Sequence, residues 1–248
     1  DVRIIDLIEQ IDDNLVTRAL DLARQDGLIQ GAWHIALEKR IPSATGLGGA
    51  SADAAATLVT VCRGEEQARS ALALHLGSDV PFLLRGGSAL ASGRGEVLRP
   101  LPPLRSAWIV LASPHTRIER KTARLYGALR SDDFSDGSRI DRVAAALRAR
   151  QLPDAGDLAN TFERPLYEML PEVIHLRNAF LSHGAPFVAI SGAGPTHYTI
   201  VPSLRSAIGL ARRLAENPPL DMRVLVSRPT AQGPLIRGEK TIDPPEPL

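Results

Sequence analysis

The chain has 248 residues, of which 44% are hydrophobic, so it can bury the core of one large domain or two modest ones. Lys and Arg (29) nearly balance Asp and Glu (28), and this net charge of +1 gives no field that favours nucleic acid or a membrane surface. Cys62 is the single cysteine, which excludes an internal disulfide and a multi-cysteine metal site. No stretch reaches the length of a membrane span, and the first residues lack a signal-peptide pattern, so we expect a soluble cytoplasmic protein.

The first forty residues predict a strand, a helix and a second strand. Residues 1–11 alternate weakly between apolar and polar positions, which favours a strand. The polar residues 12–14 precede apolar residues at helical spacing, so they indicate a capped helix that closes near Gly27. The alternation from Trp33 to Lys39 predicts the second strand, and Pro42 ends it.

The remaining pattern predicts an α+β chain with one internal boundary. Apolar periodicity favours helices at about 52–58, 65–76, 119–130, 140–150, 171–183 and 203–215, and strands at 88–91, 108–112, 187–190, 197–201 and 223–227. The cluster Pro100, Pro102 and Pro103 indicates a domain boundary. We therefore expect an N-terminal domain at 1–104, a C-terminal domain at 105–230 and a tail at 231–248, of which the Pro-rich end is loose.

A glycine-rich turn at residues 42–51 runs directly into a helix. Glycine lets backbone N–H groups approach a phosphate closely, and a helix N-terminus adds positive dipole. The turn is not a Walker A loop, because no Gly-Lys-Ser/Thr follows, and it is not a clear Rossmann fingerprint. These residues alone support a triphosphate cradle and a tightly packed turn about equally.

The whole string at 42–55, Pro-Ser-Ala-Thr-Gly-Leu-Gly-Gly-Ala-Ser-Ala-Asp-Ala-Ala, resembles the phosphate-binding motif of GHMP kinases. Leu-Gly-Ser-Asp-Val-Pro-Phe at 76–82 is similar to the branch of that family that acts on diphosphocytidyl-methylerythritol. The resemblance runs in order from about residue 1 to residue 230. Further segments that resemble the family lie at 13–16, 86–89, 93–96, 160–163 and 191–196.

This resemblance implies a two-domain α+β GHMP kinase fold, with an N-terminal domain like ribosomal protein S5 and a C-terminal ferredoxin-like α/β domain. The active site is expected in the cleft between them. The implied reaction is ATP-dependent phosphorylation of the 2-hydroxyl of the erythritol moiety, with Mg²⁺, in the non-mevalonate route to isoprenoid precursors. The implied partners are these small molecules, without nucleic acid or membrane, and the chain is expected to be a monomer or homodimer.

The family motif also implies which residues bind the nucleotide. The implied ATP-binding residues are Pro42, Gly46, Leu47, Gly48, Gly49, Ala50 and Ser51, with Asn14 and Lys39 near the nucleotide. Helix capping by Asn14 and a solvated strand end at Lys39 explain these two residues equally well. The hydroxyl of Ser51 is the candidate Mg²⁺ ligand. The family often has a second serine beside it, where this chain has Ala52.

By the same resemblance Asp79 is the catalytic acid–base residue. Phosphoryl transfer to an alcohol needs a carboxylate that orients the hydroxyl and accepts its proton. A lone Asp before Val-Pro otherwise fits a turn or a helix cap. Tyr126 and Thr122 stand where the family has an aromatic residue and a Thr, which implies that Tyr126 stacks on cytosine, although packing in the core explains Tyr126 nearly as well. Gly192 and Gly194 belong to the family's third motif and are implied in substrate binding.

The family normally begins with two strings, Lys-x-Asn and Gly-Tyr-His, that do not occur in these 248 residues. By analogy, that Lys pairs with the catalytic Asp and the Tyr-His region contacts cytidine, and we expect these segments to be missing from the sequence given. Two alternatives remain open. One is another GHMP kinase, acting on homoserine or a mevalonate-type substrate. The other is a nucleotide-binding protein without turnover.

Overall fold

The computed structural model describes residues 14–104, 107–116 and 119–236, and the backbone of residues 2–4. Its helices are α1 (Leu15–Gln25), α2 (Gly49–Val61), α3 (Glu66–Leu76), α4 (Val80–Arg85), α5 (Lys121–Gly127), α6 (Ser138–Arg148), α7 (Glu163–Met169), α8 (Ile174–Ser182) and α9 (Leu204–Glu216). Its strands are β1 (Val2–Ile4), β2 (Ile35–Leu37), β3 (Ser88–Ser92), β4 (Val97–Leu101), β5 (Trp108–Pro114), β6 (Ala189–Ile190), β7 (His197–Val201) and β8 (Met222–Ser227). The rest of the strand predicted at 1–11, the start of the predicted C-terminal domain and the predicted loose tail end lie outside the described residues.

The first hydrophobic cluster joins helices α1 to α4. Apolar residues recur along α1 at helical spacing, so one face of that helix is buried, including Val16 and Leu20. Small residues on α2, such as Ala54 and Ala55, are fully buried and let its neighbours approach closely. Cys62, at the end of α2, is buried in this cluster, and burial raises the pKa of its thiol. Beside these helices, β1 and β2 pair in parallel.

The second hydrophobic cluster covers a four-stranded antiparallel sheet. The strand order is β6-β7-β5-β8, so β5 lies in the middle with a partner on each side. Val110 on β5 packs with Phe180 of α8 and Leu210 of α9, and all three are buried. The alternation of buried and partly buried residues on β7 shows that one face of this strand meets the helices.

Most predicted helices and strands are confirmed with shifted ends, and three escaped prediction. These are α4, β4 and α7, and each contains a proline. Pro81 and Pro165 lie in the first turns of their helices, where no intrahelical N–H bond is lost. Pro100, which indicated a boundary, lies within β4 opposite Ala89 in a two-stranded hairpin, where an edge position tolerates it. The predicted division at 104/105 stays a prediction.

The backbone at residues 232–233 returns from the second cluster to the first. A Cβ atom placed on Gly86 would lie 2.2 Å from the carbonyl carbon of Gln232, and one on Gly233 would lie 2.3 Å from the carbonyl oxygen of Leu84. The two backbones can approach this closely only because both positions are glycine. Of the helices in the described residues, none is long and apolar enough to cross a membrane.

Candidate active site

The first glycine loop, residues 42–51, presents a run of free backbone amides. Gly46 (φ +81°) and Gly48 (φ +67°) adopt left-handed conformations, and Gly48 caps α2 without a side-chain hydrogen bond. Within the described part of the chain, the N–H groups of residues 46–51 have no acceptor. Unpaired N–H groups at a helix N-terminus are suited to bind an anion, because the helix dipole adds to their partial charges.

A second glycine loop, residues 191–196, lies against the first. A Cβ on Gly46 would be 2.2 Å from the carbonyl oxygen of Ser191, and one on Gly192 would be 3.0 Å from the carbonyl oxygen of Gly46. The hydroxyl of Ser191 donates to the Gly46 carbonyl (2.9 Å), and the Thr196 N–H donates to the Thr45 carbonyl (3.3 Å). The two loops therefore form one structural unit that joins the two hydrophobic clusters.

Asn160 fixes the start of the second glycine loop through side-chain hydrogen bonds. Its amide nitrogen donates to the carbonyls of Ile190 (3.1 Å) and Gly192 (2.9 Å), and its side-chain oxygen accepts from the N–H of Phe162 (2.8 Å). This residue lies in a segment that resembles the family, but the sequence did not indicate its role. Its three hydrogen bonds set the path of the chain between β6 and the loop.

A buried histidine supports the same loop. The Nδ1–H of His197 donates to the Pro195 carbonyl (2.9 Å), and its Nε2 accepts from the Tyr167 hydroxyl (2.9 Å). Burial lowers the pKa of His197 to about 4 and raises the pKa of Tyr167 to about 12, so both side chains are neutral near pH 7. This neutral pair braces the loop without adding charge.

Asp79 lies at the N-cap of α4, on the side of that helix that faces the first glycine loop. The Leu83 N–H donates to the Asp79 carbonyl (3.0 Å), so residues 79 and 83 stack on one helix face. The Leu83 side chain lies 3.7 Å from the Cβ position of Gly48. Asp79 is therefore about one helical turn, or roughly 5.4 Å along the axis, from that contact. Its side chain is exposed and bonds to no described residue.

Lys39 forms an ion pair with Asp53, the fifth residue of α2. The Lys39 side chain is only 8% exposed, so its interpretation as a solvated strand end is wrong. The pairing occupies Asp53, whereas the half-buried hydroxyl of Ser51 in the first turn has no hydrogen-bond partner among the described residues. No group of three His, Cys, Asp or Glu side chains able to hold a metal ion occurs among the described residues.

Asn14 caps α1 through its side-chain oxygen, which accepts from the Val16 N–H (3.0 Å). The capping role predicted for this residue is confirmed. Its side-chain nitrogen is buried and has no hydrogen-bond partner among the described residues. An unpaired buried donor costs free energy, so this nitrogen remains available to a ligand.

Thr122 and Tyr126 share the exposed face of α5, because residues four apart lie one turn above each other. Tyr126 is 61% exposed, so its packing in the core is excluded, and its ring makes an edge contact with the Phe162 ring (centroids 5.0 Å apart). The neighbouring face of the same helix carries the buried Lys121 and Leu125. Sequence reasoning missed Lys121, because a lysine at a helix start usually lies at the surface.

Two surface cavities lie apart from the first glycine loop. One, of about 820 Å³, is lined by polar residues that include Asp133, Asn160 and Arg177. The other, of about 720 Å³, is lined by residues that include Trp108 and Leu235. Neither contains a free amide run or Asp79, so the chemistry of the first glycine loop, not cavity size, identifies the candidate site.

Comparison with known proteins identifies the family. Residues 14–87 match the GHMP kinases N terminal domain, and residues 143–220 match the GHMP kinases C terminal domain. The chain is 38% identical over 227 residues to 4-diphosphocytidyl-2-C-methyl-D-erythritol kinase of Pelotomaculum thermopropionicum, covering 87% of this chain and 76% of the relative. A crystal structure of 4-(cytidine 5'-diphospho)-2C-methyl-D-erythritol kinase matches with a TM-score of 0.73 and 30% identity, over 91% of this chain and 81% of that one.

A crystal structure of homoserine kinase from Cytophaga hutchinsonii has a TM-score of 0.74 but only 20% identity, over 94% of this chain and 84% of that one. The fold is thus shared across kinases with different substrates, whereas the higher sequence identity separates the branches. The family resemblance and the two-domain α+β fold class predicted from the sequence are confirmed. The chain belongs to the 4-diphosphocytidyl-2-C-methyl-D-erythritol kinase family of the GHMP kinases.

Proposed function

We propose that this protein transfers the terminal phosphoryl group of ATP to the 2-hydroxyl of 4-diphosphocytidyl-2-C-methyl-D-erythritol, in the non-mevalonate route to isoprenoid precursors. The observation that carries the proposal is the run of amides at residues 46–51 that have no acceptor among the described residues, on the loop that the helix of Asp79 contacts through Leu83. The names of the relatives support this substrate over homoserine or mevalonate.

In this proposal the first glycine loop binds the triphosphate through the amides of Gly46, Leu47, Gly48, Gly49, Ala50 and Ser51, with Pro42 at the start of the loop. The pairing of Lys39 with Asp53 supports anion binding, because it neutralises the carboxylate nearest the start of α2. The free side-chain nitrogen of Asn14 is a donor for another part of the nucleotide.

The hydroxyl of Ser51 fits a role as a Mg²⁺ ligand. Mg²⁺ commonly takes one or two protein oxygens together with phosphate oxygens and water, so it needs no dedicated protein cage. Such an arrangement agrees with the lack of an acidic cluster among the described residues. When bound, the ion would neutralise charge on the phosphates.

Asp79 is the proposed general base. Its carboxylate would accept a hydrogen bond from the substrate hydroxyl, orient the oxygen towards the terminal phosphorus, and take the proton as the new P–O bond forms and ADP leaves. This carboxylate is exposed and bonds to none of the residues that the structure describes, which leaves it available for that contact. The protein otherwise works by positioning the reactants and stabilising charge.

The cytidine end of the substrate is assigned to α5 and the second glycine loop. Tyr126 presents a ring on which a pyrimidine base can stack, and Thr122 adds a hydroxyl on the same face. Gly192 and Gly194 keep side chains away from the space beside the first glycine loop. A cytoplasmic location, and a monomeric or homodimeric state without nucleic-acid partners, belong to the same proposal.

The test is ATP-dependent phosphorylation of diphosphocytidyl-methylerythritol by the full-length protein, with homoserine and mevalonate as competing acceptors. We expect turnover with the first substrate alone. Asp79→Asn should lower kcat by about 10²–10⁴-fold, because it removes the base but keeps the shape of the side chain. The matched control is Asp141→Asn, an exposed carboxylate on α6. Full activity of Asp79→Asn would exclude Asp79 as the base, and nucleotide binding without turnover would favour a silent binder.

A further inference from the structure

Among the Lys, Arg, Asp and Glu residues that the structure describes, Lys121 is the most deeply buried as a whole residue, with only 5% of it exposed. Burying a charged group costs free energy unless hydrogen bonds or an opposite charge compensate. No carboxylate of the described residues pairs with it, and desolvation lowers the pKa of its ammonium to about 8. Such a residue needs a reason to be retained, since a methionine would fill the same space without this cost.

The ammonium of Lys121 reaches both glycine loops. It donates to the carbonyl of Ala44 (2.5 Å) in the first loop and to the carbonyl of Gly194 in the second. Hydrogen bonds from a charged donor are about twice as strong as neutral ones. One side chain therefore bridges the two segments whose contact joins the two hydrophobic clusters.

The backbone around this bridge is strained. Ala44 has a φ of +60° and Arg120, the residue before Lys121, has a φ of +50°. Neither is a glycine, and non-glycine residues rarely adopt this region, at a cost of order 1 kcal/mol or more each. Gly194, the other acceptor, is also left-handed. Arg120, which precedes the donor, and the two acceptor residues Ala44 and Gly194 thus all have left-handed backbone conformations at this bridge.

The position of the charge relates the bridge to the proposed reaction. Ala44 lies two residues before the run of free amides, so the ammonium is close to the start of that run. A positive charge that is shielded from water strengthens the binding of an anion nearby.

We propose that Lys121 is a positioning residue for phosphoryl transfer: its ammonium holds the two glycine loops in register and adds positive charge beneath the triphosphate. This inference rests on the proposed function and deepens it. The residue acts on the reactants through the loops, so it is distinct from Asp79, which would contact the substrate.

The experiment compares Lys121→Met and Lys121→Arg in the full-length protein. Lys121→Met keeps the volume and removes the charge and the donors, so we expect kcat/KM to fall by about 100-fold. Lys121→Arg keeps the charge and the hydrogen-bond donors, so it should retain at least a tenth of the wild-type kcat/KM. The melting temperature of Lys121→Met should stay level or rise, because the buried charge is gone. Arg124→Met, an exposed cation on the same helix, is the control and should behave as wild type.

A binding measurement separates this inference from the proposed function. The dissociation constant of a non-hydrolysable ATP analogue, measured by calorimetry, should rise about tenfold or more in Lys121→Met and not in Arg124→Met. This result would support the role of Lys121 even if the wild type failed to phosphorylate diphosphocytidyl-methylerythritol, which would overturn only the substrate. Unchanged analogue binding and unchanged kcat/KM in Lys121→Met would overturn the inference. A loss of activity that follows the melting temperature equally in both Lys121 variants would also overturn it, because the residue would then be purely structural.

Discussion

The two glycine loops have similar composition but use their backbones in opposite ways. In the first loop three consecutive carbonyls, those of Ala44, Thr45 and Gly46, accept hydrogen bonds from Lys121, Thr196 and Ser191. The six amides of residues 46–51 have no acceptor among the described residues. In the second loop the N–H groups of Gly194 and Ser191 are used within the loop, on the carbonyls of Ser191 (2.8 Å) and Thr196 (2.9 Å).

This difference assigns a different physical task to each loop. A loop whose carbonyls are held and whose amides are free can bind an anion without rearranging, because its donors are already aligned. The second loop pairs two of its N–H groups, those of Ser191 and Gly194, within itself, so its own backbone holds its shape. Glycine allows close backbone contact in both loops, at Gly46 and Gly192, so glycine content alone does not identify a phosphate site.

The contact between the loops can be broken most strongly at Gly46. In Gly46→Ala the new Cβ would lie 2.2 Å from the Ser191 carbonyl oxygen, and the φ of +81° disfavours any side chain. We expect the loops to separate, with a loss in kcat/KM of about 10³-fold and a loss of about 3 kcal/mol in the free energy of unfolding. Steady-state kinetics and urea unfolding measure the two effects.

Gly31→Ala provides the matched control. Gly31 has a similar φ of +76°, but nothing lies within 4 Å of its Cβ position. The control should therefore lose about 1 kcal/mol of stability from backbone conformation alone and keep its activity. Equal losses in the two variants would show that conformational strain, not contact between the loops, explains the effect.

Acid should weaken the brace behind the second loop. The pKa of His197 is about 4 in the folded protein and 6.5 in its ordinary state, so between these values the unfolded chain binds more protons. Stability is therefore fully present above pH 6.5 and falls as the pH drops towards 4, by about 3 kcal/mol. His197→Gln should lose this part of the pH dependence in urea unfolding series.

The exposed His175 is the control for that measurement. His175→Gln should keep the acid-dependent loss of the wild type, because His175 is exposed and takes no part in the hydrogen bonds of His197. If the stability of His197→Gln depended on pH as in the wild type, other groups would cause the acid sensitivity. The stabilising role proposed for neutral His197 would then be wrong.

The smallest effect is expected from removing the hydroxyl group that links the two loops. Ser191→Ala removes the donor to the Gly46 carbonyl and leaves the glycine contacts in place. We expect a loss of about 1 kcal/mol in stability and about fivefold in kcat/KM. The control is Ser182→Ala, which removes a similar hydroxyl-to-carbonyl bond (3.0 Å) on α8. If both variants keep full activity, the hydroxyl of Ser191 does not contribute to loop alignment.

Features that are local in the chain could be predicted from the sequence. The first glycine loop and α2 are adjacent in sequence, so composition and helical pattern were enough to indicate an anion site. The motif resemblance added Asp79, and α4 then presents this residue on the side that contacts Gly48. The pattern did not predict α4, β4 and α7, each of which contains a proline. A helix or strand accepts a proline only at a first-turn or edge position, and the periodicity does not reveal such positions.

The apolar periodicity, the glycine run and the family could be predicted without the fold, because each depends on neighbouring residues or on a motif. How the site is held together follows from contacts that form only on folding. The hydrogen bonds from Ser191 to Gly46 and from Lys121 to Ala44 span 145 and 77 residues, and no local pattern encodes such pairs. Burial of Lys121 was equally unpredictable, since a charged side chain is retained in the interior only where folding brings acceptors from distant segments to it.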